Sequence, residues 1–531
     1  MPQKKSTSFP YQCWFILYLL TLLCFAPFLI NFFWGNHDWS WVKEYTSFLS
    51  GVFEGRFSQF ILPTLLFSGN ILPILTTTIS LLCFTLAAVL LLKMWNVQNK
   101  KTHILLLSLY LVTSPYILSW FYFAFLTLSC LSWTLAIISA FYLLNNVKKH
   151  HLLCYISATT LFTLALGGYP PVINMIGVLF FTLIINDLYL KKSTLKTIIK
   201  KYIPQMLTII IATLCFILSQ YLLKKFNFQQ ETYNTASISL NSILDNLILC
   251  SKTAITQFFK TISFIEGFYK YGSLFLLILA IIELFIETPK KITNQLCLIL
   301  AIIGLLFSST LTLLLAQNTI YVTNEPRIEF FGLVYIYVFS ASILLTHSSP
   351  FIRNATYVTL TCLICYNFTI TAYCAKIWRL GYQAETSQME RFISRLETNP
   401  QFNPNTKYTF IQSGTINMRK RFYITDSTIK HDSYTLDAPY VPWHLPYKAY
   451  TFYYPTVFIE NDFDIYWQFV NPYSIPMTDS LEEYLTLSAR PWPKPESLYI
   501  SPNLIIVTLS SEGKGRGQYW FATHYQNPSH K

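Results

Sequence analysis

Charge is what this chain has little of. Asp, Glu, Lys and Arg make up 12% of its 531 residues, whereas a soluble domain carries about 25%. Together with 53% hydrophobic residues and a mean hydropathy of +0.41, this shortage argues against an ordinary soluble protein and points to a polytopic membrane protein. The charge present is unbalanced, at a formal +13, yet no basic stripe or nucleic-acid motif accompanies it. Nucleic acid is therefore not an expected partner, and cytoplasmic loop flanks and anionic lipid headgroups account better for the excess. A P-loop and a strand–Gly-rich–helix unit are also missing, which argues against a nucleotide substrate. "EGKGRGQ" (512–518) precedes no helix-like run and reads as a hairpin turn. No cysteine follows Cys374, so the polar tail is expected to hold together without disulfides. The 11 cysteines fall mostly within apolar runs, where cysteine behaves as a small hydrophobe. Cys362 and Cys365 have C-x-x-C spacing with no second pair or histidine nearby, and read as a chance pair. The run Tyr11–Trp34 is too long for a signal-peptide core and lacks a small-x-small cleavage site, so a retained first span is expected.

What is there is a succession of apolar runs, each near the roughly 20 residues that a span needs. After 11–34 they cover 71–95, 103–144 (two spans with a break at "TSPY"), 152–166, 172–190, 202–223, 274–286, 296–316, 330–345 and 357–375. This predicts about eleven spans, with the amino end cytoplasmic and the carboxyl end outside. The basic clusters Lys4–Lys5, Lys100–Lys101, Lys148–Lys149, Lys191–Lys192, Lys200–Lys201, Lys290–Lys291 and Arg353 then share one side, as the positive-inside rule requires. Lys224 and Lys225 are the exception. They end a span on the outer face, either snorkelling to the interface or meeting a lipid phosphate. The expected organisation is a membrane domain over 1–376, with extracytoplasmic loops at 35–70 and 224–272, and a soluble outer domain over 377–531. In that tail "LGYQAETSQMERFISRLETNP" has the period of an amphipathic helix. "KYTFIQSG", "RFYITDS" and "LYISPNLIIVTLS" read as strands, the last of them buried, so the tail is an α+β domain.

Sorted by side, the carboxylates, arginines and tyrosines gather outside, while the cytoplasmic connections carry mostly lysine. In "NHDWSWVKEYTSFLSGVFEGRF" (36–57) the tryptophans suit an interfacial belt. Asp38 is not explained that way, since a carboxylate at this depth needs water, a partner or a task. An interfacial helix following it holds Glu54 and Arg56 at headgroup level, as an internal ion pair or as a phosphate site. "NTIYVTNEPRIEFFG" (318–332) brings Glu325, Arg327 and Glu329 to a span entry broken by Pro326. There Arg327 suits a phosphate and the glutamates can orient it, unless the three form only a local salt bridge. "LGGYPPVINM" breaks a span at membrane depth. It is either a tight turn or a cavity lining in which Tyr169 touches substrate. His37 and His103 lack H-x-x-H-like partners, so no structural metal is expected. A divalent cation such as Mg or Mn held loosely by His37 and Asp38 is a minor alternative. These groups suit sugar transfer from a polyprenyl-phosphate sugar, in which arginine or lysine stabilises the leaving phosphate and a carboxylate deprotonates the acceptor hydroxyl. The ring-rich stretch "YVPWHLPYKAYTFYYP" (440–455) suits either glycan guidance or stacking on the interface.

Four stretches then carry a resemblance: "HDWSW", "EGRFSQFILPTLL", "LALGGYPPVINMIGVLFF" and "EPRIEFFGLVYIY", supported by "ETSQMERFISRLE" and "NLIIVTLS". They are similar to the bacterial O-antigen glucosyltransferases of the Gtr type II kind, polytopic enzymes of the GT-C superfamily. The chain departs from the family in having His37 and Asp38 where two acids are usual, and in having "GGYPP" where Tyr is usually followed by a small polar residue. The resemblance implies a GT-C-like fold and inverting transfer of glucose from undecaprenyl-phosphate glucose to an O-antigen glycan. It places that reaction at the periplasmic face of the bacterial inner membrane. Asp38 would be the general base, with Arg56 and Arg327 on the donor phosphate and Glu54 or Glu325 orienting sugar or acceptor. The rivals are a GT-C transferase for another sugar, for lipid A or for protein, and a lipid-linked-sugar flippase. A flippase is expected to line an intramembrane path with charge and to lack a large outer domain.

Overall fold

The computed structural model describes residues 11–30, 51–52, 55–70, 72–97, 101–121, 130–146, 151–189, 193, 195–226, 228, 240–259, 267–288, 292–315, 326–403, 409–413, 478–484, 493–502 and 504–508. The chain divides into two compact units, residues 1–32 with 44–372 and residues 33–43 with 373–531.

The regular elements described in the first unit are all helical. In chain order it contains α1 (Tyr11–Ile30), α2 (Ile61–Phe67), α3 (Pro73–Met94) and α4 (Lys101–Val112), then a 3-10 turn at Pro115–Ile117 running into a helical turn at Leu118–Phe121. There follow α5 (Cys130–Asn146), α6 (His151–Gly168), α7 (Val172–Tyr189), α8 (Leu195–Lys225), α9 (Leu240–Thr256), α10 (Phe268–Glu287) and α11 (Ile292–Ser308). A short turn at Thr312–Leu315 precedes Pro326–Glu329, the π-helical turn Phe330–Val334, α12 (Tyr335–His347) and the start of α13 (Pro350–Glu397). Seven helices are long and apolar enough to cross a membrane, and three shorter apolar ones accompany them. The protein is therefore a polytopic membrane protein. Each apolar run expected to span contains helix among its described residues, but several helices are shorter than a full crossing, so the finer count of about eleven goes beyond what length and apolarity establish.

Burial ranks the helices. The segment Phe330–His347 is 89% buried and forms the centre of the unit, whereas Leu195–Lys225 is 22% buried and shows Ile203, Met206, Ile210, Leu214 and Leu218 outward. In a bilayer such an aliphatic face meets acyl chains. Polar side chains inside the helices are mostly satisfied locally, as Thr21 Oγ1 is by Leu17 O (2.8 Å) and Ser80 Oγ by Thr76 O (2.7 Å). One ion pair stands out near the end of α7. Lys201 Nζ reaches Asp187 Oδ2 at 2.5 Å, and the Tyr202 hydroxyl donates to the same oxygen at 3.0 Å.

The sequence reading left 224–272 as loop. The structure has α9 within it, with Leu244, Ile248 and Ile255 exposed and Cys250 and Ala254 buried. The polar residues between those apolar positions hid a helix whose inner face packs on α11 and the 312–315 turn. Cys250 Sγ donates to Thr310 O at 2.9 Å, and Gln257 Nε2 donates to Ser309 Oγ at 2.5 Å. The ten cysteines whose side chains are described are free, and Cys362 and Cys365 are exposed on α13.

In the second unit the amphipathic stretch after residue 377 is helical. It continues α13 without a break, and Phe392, Ile393 and Leu396 are buried. The described strands are β1 (Thr409–Ser413), β2 (Leu498–Ser501) and β3 (Leu504–Thr508), in the order β1-β3-β2. β3 is central and wholly buried, parallel to β1 and antiparallel to β2. The single strand expected over 498–510 is thus two, turned at Ser501–Pro502, because proline cannot donate to a ladder. Beside the sheet lies α14 (Asp479–Glu483), capped by Thr478, whose Oγ1 accepts from Leu481 N at 3.3 Å. The Tyr484 hydroxyl reaches Thr508 Oγ1 at 3.1 Å, and burial pushes this phenol up to about 12. The expected strand at 421–427, the loop at 512–518 and the ring-rich stretch at 440–455 lie outside the described residues.

Candidate active site

Arg56 leaves a turn that glycine makes possible. Gly55 has φ +72°, and Gly51 allows Arg56 N to donate to its carbonyl at 2.7 Å where a Cβ would press on the Arg56 carbonyl. Two elements pin this turn. Gln220, buried in α8, donates from Nε2 to Gly55 O at 2.6 Å. From the other side Ser58 bonds α6 twice, its N to Gly167 O (3.2 Å) and its Oγ to Leu164 O (2.5 Å). The Gly-Gly pair at the end of α6 is there for close approach: a Cβ at Gly167 would strike the Phe57 ring, and one at Gly168 would strike Ser132 Oγ. "GGYPP" is accordingly more than a tight turn, because the first-loop segment seats in it.

Arg56 lies with its guanidinium carbon 5.9 Å from the centre of the Tyr169 ring, within cation–π range. Tyr169 is buried, and Pro170 and Pro171 start α7 behind it, where their missing N–H groups cost nothing. Its ring meets Trp120 edge-on at 4.8 Å and Phe331 at 5.7 Å, and Trp120 and Phe331 meet each other at 5.7 Å. Phe331 belongs to the π-helical turn, a feature common at functional sites. Three segments far apart in sequence therefore converge on Tyr169: the first loop, the Gly-Gly break and the "EPRIEFF" entry.

Glu329 is buried at the start of that entry, beside Tyr116 of the 3-10 turn. Burial first, and the Glu329 carboxylate next, hold the Tyr116 phenol well above its ordinary range. Asn174 of α7 fixes the approach. Its Oδ1 accepts from Thr312 N (2.7 Å) and Thr312 Oγ1 (2.8 Å), and its Nδ2 donates to Ile328 O at 3.5 Å. Gln59 is 2% exposed, and neither atom of its amide has a hydrogen-bond partner among the described residues. An arrangement of that kind costs about 1–3 kcal/mol.

Of the residues singled out from sequence, Arg56 and Tyr169 meet directly, and Glu329 ends the turn Pro326–Glu329, which packs on the turns at Pro115–Ile117 and Leu118–Phe121. Lys224 and Lys225 are exposed at the end of α8. Lys224 follows Gln220 by four residues, about one helical turn. Arg327 lies in the turn Pro326–Glu329, its side chain outside those described. His37, Asp38, Glu54 and Glu325 lie outside the described residues. Among the described residues no three His, Cys, Asp or Glu side chains converge as a metal site requires.

Sequence reasoning missed Trp120, Phe331, Asn174, Gln59 and Gln220 as parts of this site. Trp120 and Phe331 carry no signal, being aromatics in apolar runs. Asn174 and Gln220 do, because a lone amide inside an apolar run is costly unless it is bonded.

Residues 27–345 match the model of a protein family described as glucosyl transferase GtrII. No curated protein and no solved structure matches the chain.

Proposed function

The chain belongs to the GtrII glucosyl transferase family and is a membrane glycosyltransferase, and from that premise we propose that it moves glucose from undecaprenyl-phosphate glucose to an O-antigen glycan. The reaction runs at the periplasmic face of the bacterial inner membrane, with the amino end cytoplasmic and the tail domain periplasmic. The observation that carries this reading is the Arg56 guanidinium held over Tyr169, where three segments far apart in sequence meet.

The acceptor hydroxyl oxygen attacks the anomeric carbon as the bond from that carbon to the phosphate oxygen breaks. The phosphate leaves with the bonding electrons, and the acceptor proton passes to Asp38. In-line displacement inverts the anomeric centre. Arg56 and Arg327 stabilise the charge growing on the phosphate, and Lys224 adds to their field from the end of α8; Lys225 meets lipid headgroups. Glu54 or Glu325 orients sugar or acceptor, and the Tyr169, Trp120 and Phe331 rings offer apolar faces for a pyranose.

The test is linkage analysis of surface polysaccharide from cells with the wild-type protein, with Asp38→Asn, and with none. A hexose found only with the wild type supports both the reaction and the base. A hexose retained in Asp38→Asn moves the base to another carboxylate. No wild-type-dependent hexose would sink O-antigen as the acceptor.

A further inference from the structure

A groove open on one side lies where α5, α6, α7 and α8 meet, with about 360 Å³ of unfilled space counting its mouth. Leu143, Phe162, Leu179, Leu183 and Ile209 line it, and Gln205 is the one polar side chain among its described lining. Gln205 is 8% exposed, and its amide makes no hydrogen bond among the described residues. Other amides inside the helices are used. Gln220 donates to Gly55 O at 2.6 Å, and Asn174 accepts from Thr312 N at 2.7 Å. Helix α8 is the least buried of the seven long spans, which puts the open side of the groove against acyl chains, where no bulk water serves the amide. An unpaired amide in hydrocarbon is costly, so the position calls for a polar atom from outside the chain.

The depth of the amide identifies that atom. Gln205 follows Lys201 by four residues, so it lies on the same face about 6 Å further into the span. Lys201 meets Asp187 and Tyr202 near the polar end of α7. The groove joins this cluster directly. Phe180, which also lines it, stands edge-on to Tyr202 at 5.8 Å, and the Tyr202 oxygen lies 2.9 Å from Leu183 O. Asp187 neutralises Lys201, so the net positive charge of the rim comes from Lys196 and Lys200, both exposed in the first turns of α8. From the rim inward, positive charge, one amide donor and aliphatic walls match the phosphate, ester carbonyl and acyl chain of an anionic glycerophospholipid. A polyprenyl phosphate has the first and the last of these groups but no carbonyl between them.

We propose that this groove holds one anionic glycerophospholipid as a structural part of the protein, with Gln205 Nε2 donating to an ester carbonyl, an acyl chain against α7 and α8, and the phosphate toward Lys196 and Lys200. Bound there, the lipid ties α8 to α7, and α8 also carries the Gln220 that holds the Gly55–Arg56 turn. The inference does not depend on which sugar or acceptor the enzyme uses.

The experiment uses the full chain in detergent and follows native mass spectra and thermal unfolding during lipid titration. The lipids are ester-linked phosphatidylglycerol, its ether-linked analogue and ester-linked phosphatidylcholine, all with the same chains, with undecaprenyl phosphate as competitor. One ester-linked phosphatidylglycerol per chain is expected to bind and to raise the unfolding temperature. The ether analogue, which lacks the carbonyl oxygen, should bind about 2- to 10-fold more weakly. Phosphatidylcholine should bind about 5-fold more weakly for each lysine engaged, a preference that Lys196→Gln with Lys200→Gln should remove. Gln205→Leu should unfold at the wild-type temperature or above it without added lipid, and should bind the ester and ether forms equally. If the wild type itself binds the two equally, the amide holds water or nothing and the proposal fails, with no variant needed to show it. Displacement of phosphatidylglycerol by undecaprenyl phosphate would give the groove to an isoprenoid chain, and equal binding of phosphatidylcholine would remove the anionic headgroup; either result overturns the proposal.

Discussion

Arg56 and Tyr169 are each ordinary in sequence and informative only together. The guanidinium stands 5.9 Å from the ring centre, and its turn is clamped by Gln220 of α8 and, through Ser58, by α6. Such support fixes a charge where a phosphate leaves, which a long flexible side chain does not do unaided. Arg56→Ala is accordingly expected to lower kcat/KM by about 10- to 100-fold, the equivalent of one charge-assisted hydrogen bond, without altering expression. Arg56→Lys should recover only part of this, because an ammonium lacks the planar fork. Measured rates equal to wild type for Arg56→Ala would remove it from the donor site. At this scale Arg56, Tyr169 and Glu329 were legible as polar residues out of place in an apolar chain. Trp120 and Phe331 were not, since an aromatic in an apolar run looks the same whether it faces lipid, core or substrate.

Among the elements, the long spans were legible because twenty apolar residues in succession leave few alternatives to a helix in lipid. Helix α9 was not, because an amphipathic helix of this length has a polar side that reads as loop. Its assignment depends on Cys250 and Gln257 meeting Thr310 and Ser309. The break before α7 likewise takes its meaning from what seats against it. Asn174 joins α7, the 312–315 turn and the helical entry that presents Glu329, through bonds at 2.7, 2.8 and 3.5 Å. Asn174→Ala leaves the buried Thr312 groups without their acceptor. It should cost about 1–3 kcal/mol in unfolding experiments in detergent. Activity should fall further than stability alone explains, since the Glu329 turn loses a tie. An Asn174→Ala protein with unchanged stability and unchanged rate would mean that this joint is not what holds the entry.

For the whole molecule, the charge pattern carries a topology prediction. In a cysteine-free background, Lys225→Cys should react with a membrane-impermeant maleimide in intact spheroplasts, whereas Lys149→Cys and Lys192→Cys should react only after lysis. The reverse labelling would invert the protein and move the proposed site to the cytoplasm. Sequence alone determined the class of this protein, the positions of its apolar helices and the segments able to carry chemistry. Each of those is written locally, in composition and in runs whose length is set by the bilayer. Only the tertiary structure decided that residues 55–60 seat on the Gly167–Gly168 break, and that Tyr169, Phe331 and Trp120 form one ring cluster. It alone showed that Asn174 of α7 holds Thr312 across more than a hundred residues. Those relations join residues from about fifty to more than two hundred positions apart, and no local pattern encodes which face of one helix meets which turn of another.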